Sequence, residues 1–215
     1  MAGVALKKDE RRRYTYDDYL TWPDEPRKEI INGVSYAMSS PTVRHQELSV
    51  RLTVALDRFF RGKSCRLFAA PLDVVLSEDT VVQPDLLVVC DPKKITGACI
   101  RGAPDLVVEI LSPSSASYDR LLKFKRYADA GVKEYWLVTP DLATIEIFTL
   151  DNGSFRLDDG FMQQERLQSA LFPELAFAMA DVFEPPEAGI PVSREMPESV
   201  RELLEAYRAR HTQHS

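Results

Sequence analysis

Two carboxylates carry the chemistry that this sequence offers. Asp85 lies in QPDLLVVC, residues 83–90, and Glu109 lies in PDLVVEILSPSS, residues 104–115; both are apolar, strand-like runs that contain Pro-Asp. Strand alternation puts Asp105, Val107, Glu109 and Leu111 on one face and Leu106, Val108 and Ile110 on the other. A charge inside such a run must be paired, protonated or bound to a cation, because an isolated buried carboxylate is strongly disfavoured. Two neighbouring strands that each deliver a carboxylate could hold Mg²⁺ or Mn²⁺, hard cations that prefer oxygen ligands. With a lysine near the attacking water or the scissile phosphate, such a site is suited to phosphodiester hydrolysis.

Other chemistries find less support. A Ser-His-Asp hydrolase needs a histidine within reach of its serine. Here the histidines are His45, His211 and His214, no GxSxG elbow exists, and Ser112-Pro-Ser-Ser reads as turn and cap chemistry. The scattered glycines form no phosphate-cradling loop, which argues against a nucleotide cofactor. Cys65, Cys90 and Cys99 show no CxxC spacing and read as reduced thiols. His45, in the first turn of a helix, reads as a surface or packing residue ahead of a ligand.

The elements that must position these residues follow from periodicity and turn signals. Residues 16–22 suggest one or two helical turns, and KEIINGVSYAM, residues 28–38, a hairpin about Asn32-Gly33. Residues 42–61 are the clearest helix, with Leu48, Leu52, Ala55, Leu56, Phe59 and Phe60 at helical spacing. Strands are expected over 65–76, 81–90 and 103–111, with a loop over 91–102 and a turn over 112–117. A helix over 119–130 ends at Gly131, and strands follow over 134–139, 144–150 and 154–157. An irregular apolar stretch covers 170–183. The order describes an α/β domain with a mixed central sheet flanked by helices.

At 215 residues, 45% hydrophobic, the chain suits one domain with extensions: a flexible basic arm at 1–13, a domain at 14–184, and a Pro-rich connector with an amphipathic helix at 185–215. No run is long enough to span a membrane and the N-terminus has no apolar secretory core, so a cytoplasmic protein is expected. A net charge of -6 neither favours nor excludes a nucleic-acid partner.

Asp85 followed by Glu109 in EIL is similar to the PD-(D/E)XK nuclease pattern with its last position altered to Leu111. The run PDLVVEILSPSS…DRLLKFKRYADAGVKEYWLVTP, with KEIINGV, the helix near His45 and QPDLLVV, resembles the Uma-two restriction-endonuclease family from about Tyr14 to Phe183. The resemblance implies a restriction-endonuclease-like core, Mg²⁺ or Mn²⁺, and cleavage of DNA, often by a homodimer. It places the lysine on the following helix, in D-x3-K-x3-Y, which Asp119, Lys123 and Tyr127 match. The helical wheel alone leaves Lys123 and Lys125 on opposite flanks of a packed face made by Leu121, Phe124, Tyr127 and Ala128. By resemblance Asp85, Glu109 and Lys123 are catalytic, with Asp85, Glu109 and the Ile110 carbonyl as metal ligands. Glu29 is either an extra acidic ligand or a plain strand residue, and Asp105 is structural. The alternative is an inactive DNA-binding or protein-interaction module on the same fold. A well-placed Lys123 beside the acidic pair would favour the enzyme; a Lys123 pointing to bulk solvent, with Asp85 and Glu109 unable to share an ion, would favour the module.

Overall fold

The structure, a computed structural model, describes residues 12–112 and 118–183. Almost all of the expected basic arm, most of the turn at 112–117, and the whole of the connector and helix at 185–215 lie outside the described residues. A short helix, α1 (Tyr16–Tyr19), precedes the hairpin β1 (Lys28–Ile31) and β2 (Val34–Ala37), then the long helix α2 (Val43–Phe60). Four short strands follow: β3 (Arg66–Ala69), β4 (Val74–Ser77), β5 (Thr80–Val82) and β6 (Leu86–Val89). A 3-10 turn at Pro92–Lys94 leads to β7 (Ile100–Arg101), β8 (Leu106–Ile110) and helix α3 (Tyr118–Ala130). The chain continues through β9 (Glu134–Thr139), β10 (Thr144–Asp151), β11 (Ser154–Met162), β12 (Arg166–Gln168), β13 (Ala176–Ala178) and α4 (Met179–Val182).

The main sheet runs β11-β10-β9-β8-β6-β3; a second runs β2-β1-β5-β4-β7, and β12 pairs with β13. In the main sheet β8 is antiparallel to β6 and parallel to β9. The parallel pair needs a crossover, and α3 lies between β8 and β9 in the chain. Alternation then divides the core. Leu106, Val108 and Ile110 join Leu48, Leu52, Leu56 and Phe60 of α2 on one face. Val107 joins Tyr127 of α3, Tyr135 and Ile31 on the other. Glu109 therefore emerges on the α3 side.

Local chemistry explains the boundaries. Thr42 caps α2, its hydroxyl oxygen accepting from the His45 N–H at 3.2 Å. Asn32 and Gly33 both take positive φ, 53° and 71°, the backbone that a two-residue hairpin requires. Gly131, at φ 93°, ends α3: its N–H donates to Ala128 O and the Val132 N–H to Tyr127 O, each at 3.0 Å.

Several expected elements are more broken than the sequence suggested. The strand expected over 65–76 is β3 and β4, in different sheets on either side of Pro71; the one over 81–90 is β5 and β6, parted at Pro84-Asp85. Proline cannot donate to a ladder, so it marks the place where the chain leaves one sheet for the next. The loop over 91–102 contains a 3-10 turn and β7, and the last hairpin strand extends to Met162. Cys65 and Cys90 form a disulfide and only Cys99 is free, a correction to the reading of three thiols. The pairing arises from register: β3 and β6 are antiparallel with Arg66 opposite Val89, which brings the next residues out, Cys65 and Cys90, together.

Leu52 is fully buried while Val50, on the same helix, is exposed. Leu52→Ala should lower stability by about 2–5 kcal/mol, and Val50→Ala by no more than about 0.5 kcal/mol. Denaturant unfolding curves of the two variants test this assignment of the α2 faces.

Candidate active site

The site is assembled where β6 begins and β8 ends. β6 and β8 are antiparallel with Leu86 opposite Val108. Continuing that register by one residue sets Asp85 opposite Glu109, and opposite residues project to the same face. The condition set by the sequence, that the two carboxylate strands be neighbours, is met. Asp85 does not hang free: its Oδ2 accepts the Ile110 N–H at 2.7 Å and lies 3.2 Å from His45 Nε2. In a strand the N–H and C=O of one residue face the same edge. The Ile110 carbonyl therefore points towards Asp85 as well.

Glu109 faces α3. Its Oε1 accepts from Tyr127 OH at 2.6 Å and from Lys123 Nζ at 3.1 Å. The same ammonium reaches Glu29 Oε1 of β1 at 2.8 Å, and that oxygen also accepts the Gln83 N–H at 2.7 Å. Lys123 thus bridges two carboxylates from two different sheets, and its side chain is only 6% exposed. A lysine so buried is held there by its ion pairs, since the ammonium alone would be strongly disfavoured.

The helical-wheel reading of α3 is corrected by this arrangement. Leu121, expected on the packed face, is 74% exposed, whereas Lys123 is buried beside Tyr127. Charge pairing of Lys123 with Glu29 and Glu109, together with the packing of Phe124 and Tyr127, turns the helix so that Leu121 faces out. Lys125, the rival lysine, is exposed and pairs with Asp129. Of Asp119 only the backbone, within α3, is described.

Burial pushes the Glu109 carboxyl up to about 7; the charges of Asp85 and Glu29 add to the rise, while Lys123 and the Tyr127 hydrogen bond oppose it. Burial also drives the Tyr127 hydroxyl well above its ordinary value, with the Glu109 and Glu29 charges adding. His45 is raised, first by its hydrogen bond to Asp85, against the effect of burial.

Among the described residues no three of His, Cys, Asp and Glu gather as a ready-made metal cluster. The oxygens at the strand ends are those of a pair of carboxylates and a backbone carbonyl, with the His45 Nε2 held against Asp85. That set suits a small hard cation, which is bound through one or two carboxylates and keeps several waters. It does not resemble the closed nitrogen-sulfur sets of structural zinc. Glu29 is placed on Lys123 and the Gln83 N–H, so its evident contacts are with the lysine.

Two other buried carboxylates serve structure. Asp105 accepts from the Cys90 N–H and from Lys133 Nζ, both at 2.7 Å. Glu134 accepts from Trp136 Nε1, Ser169 Oγ and the Leu171 N–H. His45 and Gln83 were the residues least legible in the sequence. For His45 the available signal was its place in the first turn, three residues after the capping Thr42, on the helix whose apolar face covers both carboxylate strands.

Residues 16–180 match the model of the Uma2 family, described as "Putative restriction endonuclease". An "Uncharacterized protein" of Synechocystis is 30% identical over 156 residues, which span 71% of this chain and 82% of that protein. A crystal structure described as "a putative nuclease", from Anabaena variabilis, shares the fold with a TM-score of 0.65 at 21% identity, over 79% of this chain and 97% of its own. The expected restriction-endonuclease-like α/β core is borne out, with its mixed main sheet flanked by helices.

Between pH 4.5 and about 7 the native state holds a proton on Glu109 that the unfolded chain has released. This group's contribution to stability therefore falls as pH rises through that window and is level above it. In metal-free buffer, the stability of wild type relative to Glu109→Gln should decline from pH 4.5 to about 7. Urea unfolding of both proteins across that range measures it, and a flat difference would refute the assignment.

Proposed function

Since the chain belongs to the Uma2 restriction-endonuclease family, we propose that it is a divalent-metal-dependent endonuclease that hydrolyses DNA phosphodiester bonds. The observation that carries this reading is Lys123, buried between Glu29 and Glu109, the latter on β8, which pairs with the strand that Asp85 immediately precedes. A lysine kept for solubility would lie in solvent, as Lys125 does. An ammonium brought into the interior at the cost of desolvating it supports a role beyond solubility.

In this proposal Asp85 and Glu109, with the Ile110 carbonyl, hold Mg²⁺ or Mn²⁺. When bound, the ion offsets phosphate charge and lowers the pKa of a coordinated water. Lys123 orients the attacking water and lends positive charge to the pentacovalent phosphorus as negative charge builds on its oxygens. Glu29 pairs with the Lys123 ammonium and aims it, which gives the β1 carboxylate a role without placing it on the metal. Tyr127 holds Glu109 Oε1 from the other side. DNA is the substrate class that the family description supports, and two copies acting across a two-fold axis would cut both strands of a duplex. No helix of the described residues is long and apolar enough to cross a membrane.

Supercoiled plasmid incubated with Mg²⁺ or Mn²⁺ should be nicked or linearised by wild type and spared in EDTA. Asp85→Asn, Glu109→Gln and Lys123→Met should each slow cleavage roughly 100-fold or more. Cleavage by all three at the wild-type rate would place the chemistry elsewhere. No cleavage by wild type on duplex, single-stranded or branched DNA would leave the module as the better reading.

A further inference from the structure

His45 is the polar side chain at the site for which the roles above have no use. It is 9% exposed, lies in the first turn of α2, and its Nε2 is 3.2 Å from Asp85 Oδ2. Its other ring nitrogen, Nδ1, is buried with no hydrogen-bond partner among the described residues. The two nitrogens therefore have unequal needs. A proton on Nδ1 would be a buried donor without an acceptor, whereas a proton on Nε2 has the Asp85 carboxylate to receive it. The geometry places the proton of the neutral ring on Nε2.

That tautomer separates two possible duties. As a metal ligand, a neutral imidazole bound through Nε2 carries its proton on Nδ1, and ligating histidines nearly always give that proton to an acceptor. His45 offers none. As a donor to Asp85, it shares Oδ2 with the Ile110 N–H, which reaches the same oxygen at 2.7 Å. Two donors on Oδ2 fix the carboxylate plane and leave Oδ1 as the oxygen free of both.

We infer that His45 is a positioning residue: through Nε2–H it locks Asp85 so that Oδ1 is presented to the cation, and the donor set stays all-oxygen. This rests on the metal-dependent reading of the site and refines it, since an all-oxygen set selects Mg²⁺ and Mn²⁺ over Zn²⁺ and Ni²⁺, which imidazole would favour. The helix supports the role mechanically. The Thr42 cap fixes the turn that carries His45, and Leu48 and Leu52 anchor the same helix in the core beneath β6 and β8.

The test uses the full chain and Mn²⁺ alone, by calorimetry, on wild type, His45→Leu and His45→Gln, with metal-free thermal unfolding of each. Leucine fills the space without a donor; glutamine restores a side-chain N–H. Loss of this outer partner should weaken Mn²⁺ binding about 10- to 100-fold in the leucine variant, with metal-free unfolding little changed and much of the affinity recovered in the glutamine variant. Equal or tighter binding in His45→Leu would overturn the inference. So would a glutamine variant as weak as the leucine one, since that pattern marks a ligand. Wild type that binds no Mn²⁺, with or without DNA, would instead defeat the metal-dependent reading, which Glu109→Gln run in parallel makes plain. Should His45→Leu fail to fold, Thr42→Ala, which loosens the turn without touching Asp85, takes its place: unaltered Mn²⁺ affinity there would count against positioning by the helix.

Discussion

A single ammonium group joins one helix and both of the larger sheets of this molecule. Lys123 comes from α3, Glu109 from the main sheet and Glu29 from the second sheet, and the three meet in the interior. None of the three would be tolerated there alone, because each charge depends on the others to offset its desolvation. The constraint is mutual. α3 must roll so that Lys123 faces inward and Leu121 outward, and the hairpin of β1 and β2 must lie close enough to β8 for Glu29 to reach. The relation between the two sheets is thus set partly by electrostatics at one point and partly by the apolar contacts of Ile31, Val74, Val82 and Val107 around it.

Much of this was legible in the sequence. The hairpin about Asn32-Gly33, the capped helix α2 and the Gly131 stop follow from local rules that act within a few residues. Glu109 was legible because a carboxylate in the middle of an apolar strand is an anomaly that needs a partner. Its neighbour Asp85 required knowing that β6 and β8 are adjacent, which periodicity does not give and the family resemblance supplied. Lys123 was harder. Hydrophobic spacing on α3 put Leu121 on the buried face, since a wheel ranks leucine above lysine; only tertiary pairing reverses that order. Gln83 had no local signature and His45 only its place in the first turn of α2, because their meaning comes from groups 54 and 40 residues away. The Cys65–Cys90 bond was hidden for the same reason, as it depends on the register of two strands.

Asp105 and Glu134 show that burial of an acid is not by itself a sign of chemistry. Asp105 is matched by one lysine and one backbone donor, and Glu134 by three neutral donors. Each has its oxygens committed to fixed protein groups. The carboxylates of the site differ in arrangement: Glu29, Asp85 and Glu109 are each held through one oxygen by the contacts described. This uneven use of lone pairs separates an acid that pins the fold from one that can still take a ligand.

The interior pairing of Lys123 with Glu29 and Glu109 has an evolutionary consequence. Replacing a buried ionic triad by apolar side chains of similar bulk is often neutral or stabilising, so drift unopposed by selection should erase these charges before it erodes the surrounding core. A lineage that had given up catalysis would keep the sheets and the helices and lose the ammonium with its carboxylates. Such a loss would have to take all three together, because removing one leaves the others buried and unpaired.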